Sequence, residues 1–131
     1  MMAPDASQTL RPLDGGLVAL LHSAAQREAS DVHLVPGYPV MFRIHGRLTA
    51  PATAVLAADQ VRHMIESFLP DRQLAQLASA KDFDCSLALE HQGRPCRFRA
   101  NVFIAQDNWC ACLRHVPNDI PSFAWMGFPE G

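Results

Sequence analysis

Arg97 and Arg99 stand two apart in the segment CRFRAN, and Arg114 follows in WCACLRHVP. Side chains two positions apart on a strand leave from the same face. The first pair therefore doubles a positive charge on one side, while Cys96, Phe98 and Ala100 turn to the other. A guanidinium offers planar N–H pairs that match phosphate or carboxylate bidentately, and all three positions are arginine in a chain with a single lysine, Lys81. Two readings stand side by side. One is a site for an anion; the other is a solvated strand face crossed by an ion pair such as Asp84 with Arg99, worth about 0 to 1 kcal/mol when exposed.

Other chemistry is harder to place. A phosphate-cradling P-loop needs a glycine-rich turn ending in Gly-Lys, and no such pair occurs; G-x-S-x-G and H-E-x-x-H are also absent. His22, His33, His45, His63, His91 and His115 are scattered singly and read as surface or hydrogen-bonded histidines. Cys85, Cys96, Cys110 and Cys112 could suggest zinc. The strand alternation developed below assigns the first two and the last two to opposite faces, which favours small packing residues and no metal. The formal net charge of -2 argues against a general nucleic-acid binder.

These residues need a scaffold. At 131 residues, 49% hydrophobic and 18% charged, the chain can bury one core. Its apolar runs fall short of the roughly 20 residues of a membrane span, and the N-terminus does not read as a secretory signal, so a cytoplasmic setting is expected. Residues 1–16 read as a flexible arm, 17–117 as the domain, and 118–131 as the start of a linker. Leu17, Leu20, Leu21 and Ala24 recur at helical spacing over about 17 to 28. SDVHLV and PVMFRIHG read as strands, the second alternating Val40, Phe42 and Ile44 against Met41, Arg43 and His45, with Gly46 in the turn to RLTA. Val61, Met64, Ile65 and Phe68 predict a second helix with Asp59 in its first turn, and Asp71 a short third one presenting Leu74, Leu77 and Ala78.

The last third predicts a three-stranded meander. A two-residue turn at Gln92-Gly93 opposes Phe83 to Val102, Cys85 to Ala100, Leu87 to Phe98 and Leu89 to Cys96, all apolar pairs. The other face then joins Ser86 to Arg99, Ala88 to Arg97 and Asp84 to Asn101. For the next hairpin, a two-residue loop at Asp107-Asn108 or a four-residue loop both keep Arg114 on the face of Arg97 and Arg99. The fold class that follows is α+β: an antiparallel sheet of about five or six strands with two or three helices on one face.

The segments ASDVHL, YPVMFRIHGRL, CRFRAN and LRHVPNDIPSFAWMGFP, in this order and spacing, resemble the N-terminal domain of the PilT/PilB/GspE family of type IV pilus and type II secretion ATPases. The layout is that of the pilus-retraction (twitching motility) branch, and the resemblance runs from about residue 16 to the end. It implies a PAS-like domain joined by a linker to a RecA-like domain that carries the Walker motifs, in a homo-hexamer binding ATP and Mg. It also implies a place in the cytoplasm, peripheral to the inner membrane and its pilus or secretion platform, with no activity for this chain alone and no nucleic-acid partner. In the family, arginines of this domain reach the γ-phosphate; by motif these are Arg99 and Arg114, with Arg97 beside them. Asp31 and His33 fall in a family motif and are implied at the interface with the neighbouring subunit; the other reading of the two is hydrogen bonding at a strand edge. Two departures stand out: HGRL replaces an acidic Asp-Gly turn, and AQDNWCAC replaces a glycine-bearing connection. The alternative is a PAS-like ligand-sensing or partner-docking module with no role in ATP hydrolysis, which a buried pocket would favour and a filled core would oppose.

Overall fold

A computed structural model describes residues 12–69, 71 and 82–117. The elements are α1 (Gly15–Gln26), β1 (Ala29–Leu34), β2 (Met41–Ile44), β3 (Arg47–Thr49), α2 (Ala58–Glu66), β4 (Asp82–His91), β5 (Arg94–Ala105) and β6 (Asn108–Val116). The strands form one six-stranded sheet in the order β3-β2-β1-β6-β5-β4, antiparallel at each pairing. This is the expected α+β architecture. The short third helix lies outside the described residues except for Asp71, as do residues 1–11 of the arm and 118–131 of the tail.

Helix α1 starts at Gly15, two residues before the periodicity suggests, because Asp14 caps it: its carboxylate accepts the Leu17 N–H at 2.9 Å. The two glycines are thus inside the first turn and belong to the domain. Gly16 has a packing reason to be glycine, since a Cβ there would lie 3.1 Å from Asp14 Oδ2 and 3.5 Å from Met64 Cε on α2. Asp14 also pairs with His63 Nε2 at 3.1 Å, which ties the start of α1 to α2. Helix α2 lacks a capping hydroxyl at Ala57; Gln60 Oε1 instead reaches back to accept the Ala57 N–H at 3.2 Å.

Both helices cover the same face of the sheet. Leu17, Leu21 and Ala24 from α1 and Val61, Met64 and Ile65 from α2 meet Val32, Leu34, Phe42, Phe98, Ala100, Val102, Ala111 and Leu113 from the strands, all buried. At about 1.5 to 3 kcal/mol for each large side chain removed from water, this layer is the main source of stability. These side chains form one continuous buried cluster between the sheet and the two helices. Arg62 extends the seam by stacking over Trp109, 4.4 Å from the ring centroid.

Three two-residue turns set the hairpin registers. His45-Gly46, Gln92-Gly93 and Gln106-Asp107 each place both residues at positive φ, the signature of the turn whose twist matches paired strands. The β4–β5 pairs are those expected from the alternation, from Phe83 with Val102 to Leu89 with Cys96. The third turn, Gln106-Asp107, sits one residue earlier than Asp107-Asn108, opposing Ala105 to Asn108 and Ile104 to Trp109. Face assignments survive, because moving a two-residue turn by one position changes each pairing by two residues.

Candidate functional site

The face turned away from α1 and α2 carries a line of charge across the sheet. Arg43 on β2 opposes Asp31 on β1, Asp31 opposes Arg114 on β6, Arg114 opposes Arg99 on β5, and Arg99 opposes Ser86 on β4. Arg97, two residues from Arg99, lies on the same face opposite Val116 and Ala88. The expected convergence of Arg97, Arg99 and Arg114 is therefore present, and all three are exposed. Among the described residues, no acid is paired with Arg97 or Arg99. A shallow open recess of about 360 Å³ lies beside them, lined by Asp84, Ser86, Arg97, Arg99 and Val116 among others.

Arg114 is held differently. Its Nε donates to Asp31 Oδ1 at 3.1 Å, while Arg43 Nε approaches Asp31 Oδ2 at 3.5 Å. The Asp31 side chain is 8% exposed and that of Arg114 74%, so a buried carboxylate supports a guanidinium that stands in water. The hydrogen bond and charge of Asp31 raise the Arg114 pKa further, so it stays a cation at any working pH. Arg43 also donates to the Gly46 carbonyl at 3.1 Å, closing the β2–β3 turn.

A β-bulge makes this arrangement possible. Ala29 pairs with Ile44 and Asp31 with Arg43, so the register slips at Ser30. Ala29 can thus face the core and Asp31 the arginines, although they are two residues apart.

The ion pairs of Asp31 on this face are thus with Arg114 and Arg43, and among the described residues Asp84 is not paired with Arg99: it accepts from its opposite neighbour, Asn101 Nδ2, at 3.0 Å. Arg43 was not singled out by the sequence. The alternation of β2 puts it opposite Phe42, but only the β1–β2 pairing brings it to Asp31.

His33 follows Asp31 on this face, opposite Met41 and Cys112. Its Nε2 is buried without a hydrogen-bond partner among the described residues. The register separates Cys85 and Cys96, on the helix side, from Cys110 and Cys112 on the arginine side. No group of three or more His, Cys, Asp or Glu is gathered for a metal among the described residues. Burial, then the Asp84 charge, push the Cys85 thiol up to about 11. Burial and the Asp31 charge raise Cys112, against the lowering pull of Arg114 and Arg43. Among the described residues, no helix is long and apolar enough to cross a membrane.

No family model matches the chain. It is 23% identical over 111 residues, 85% of its length, to the type IV pilus ATPase PilU of Pseudomonas aeruginosa. It is 27% identical over 114 residues, 87% of its length, to the type IV pilus retractation ATPase PilT of the same organism. It covers only 28% of the first and 32% of the second. Among solved structures, the pilus retraction motor PilT with bound ADP matches with a TM-score of 0.73 and 28% identity, over 82% of this chain and 31% of that one. The Legionella pneumophila ATPase DotB matches with a TM-score of 0.73 over 92% of this chain and 33% of that one, and at 23% identity it speaks to the fold alone.

Proposed function

Because this chain is an N-terminal domain of the PilT-like ATPase family, we propose that it serves a hexameric motor by laying its arginine face over ATP held by a RecA-like domain. Arg99 and Arg114 contact the terminal phosphate, with Arg97 beside them, and the sheet packs on the neighbouring subunit. The observation that carries this reading is the face turned away from α1 and α2, on which the exposed Arg99 and Arg114 oppose each other directly. Like charges directly opposed on neighbouring strands are unfavourable unless an anion lies over them.

The residues fit a polyphosphate. Among the described residues, no acid pairs with two of the guanidiniums and the third is held at its Nε. When bound, the RecA-like domain supplies ATP and Mg, and phosphoryl transfer to water proceeds there. The arginines of this chain stabilise charge on the transferring group; they neither accept nor donate a proton, since a guanidinium stays charged. Hydrolysis then drives pilus retraction, or protein secretion in a motor of that branch. The setting is cytoplasmic, peripheral to an inner-membrane pilus or secretion platform, and this chain alone hydrolyses nothing. Asp31 and His33 belong to the same face, so their interface role is exercised within this contact.

The test joins the chain to its RecA-like domain and replaces Arg99 and Arg114 separately by alanine. Steady-state hydrolysis is expected to fall by about 10³-fold or more, the scale of an arginine supplied to a nucleotide site from elsewhere, with ATP affinity changing far less. Unchanged turnover in both variants contradicts the reading.

A further inference from the structure

Four arginines share one face, and among the described residues two of them, Arg114 and Arg43, are anchored on a carboxylate. Arg114 and Arg43 both direct Nε at the same carboxylate, and the two differ in what remains. Arg43 spends a terminal N–H on the Gly46 carbonyl and its side chain is 39% exposed, whereas Arg114 keeps both terminal amino groups uncommitted among the described residues at 74% exposure. Asp31, squeezed between them, is with Ser67 one of two buried polar residues among the described residues. A long arginine side chain loses much rotamer freedom when it takes up a ligand, and a prior bond at Nε removes part of that loss. The Nε bond also leaves the planar end of the guanidinium, the edge that binds phosphate oxygens in pairs, free to face outward.

We propose that Asp31 is a positioning residue: it presents Arg114 to a phosphate ligand, while Arg43 balances the carboxylate charge so that the ligand is not repelled. This rests on the phosphate reading of the arginine face. Arg43 thereby joins the functional row without touching the ligand, and the β-bulge at Ser30 acquires a purpose, since it delivers Asp31 to that row.

The test uses the chain itself with inorganic tripolyphosphate at low ionic strength, where exposed charges are least screened. Affinity is measured for the wild type, Arg114→Ala, Asp31→Asn and the double variant. Arg114→Ala should weaken binding about tenfold in the wild type and less than about twofold once Asp31 is Asn, because an unanchored Arg114 has little left to lose. Equal losses in both backgrounds overturn the positioning role and leave the anion reading standing. No loss from Arg114→Ala in the wild type overturns both. Should Asp31→Asn fail to fold, the unaltered chain still decides: the Nε–H resonance of Arg114 should exchange with water more slowly than those of Arg97 and Arg99, and equal exchange overturns the proposal.

Discussion

The two faces of this sheet obey different rules. On the helix side, neighbours are chosen by volume: Phe98 pairs across to Leu87 and packs to near-complete burial. On the open side they are chosen by charge, and Arg43, Asp31, Arg114 and Arg99 form a line whose members come from four strands. The first face holds the domain together. The second is free to be organised for a ligand, because little stability depends on it.

That contrast can be broken from either side. The largest effect is expected from Phe98→Ala, which empties the middle of the core and should destabilise by about 3 to 5 kcal/mol in denaturant unfolding. Asp31→Ala is the exception on the open face: it leaves two guanidiniums without their carboxylate and should lower stability by about 1 to 3 kcal/mol, moderated because Arg114 is solvated.

The Cys85 thiol gives a pH signature. Its folded pKa of about 11 lies above the ordinary 9.0, so the unfolded chain gives up this proton first. The contribution is complete below pH 9 and disappears as pH rises through 11, an effect of at most about 3 kcal/mol. Cys85→Ala should flatten that slope in thermal melts. Asp14→Ala, by removing the α1 cap, should cost about 1 kcal/mol. Arg97→Ala should change stability by less than about 0.5 kcal/mol, and a much larger loss would erase the distinction between the faces.

How much of this was legible beforehand follows the same division. Apolar alternation in DFDCSLALE and RPCRFRAN led to the β4–β5 register, because one face of each strand is buried and a slip by one residue would expose it. The same alternation placed Arg97, Arg99 and Arg114 together. It could not reveal that β6 sits between β5 and β1, a pairing of residues some eighty positions apart, so the link from Arg114 to Asp31 and on to Arg43 was invisible. The bulge at Ser30 has no signature in ASDVHL either. The early start of α1 was readable in principle: Asp14 is a capping residue, but two following glycines look like a loop.

The central claim is that Arg99 and Arg114 meet a triphosphate brought by another domain. The most direct measurement is a structure of the chain joined to its RecA-like domain with a non-hydrolysable ATP analogue. The account predicts terminal guanidinium nitrogens of both residues about 2.7 to 2.9 Å from oxygens of the terminal phosphate. An arginine face turned to solvent, with the phosphate beyond the reach of either side chain, would contradict it.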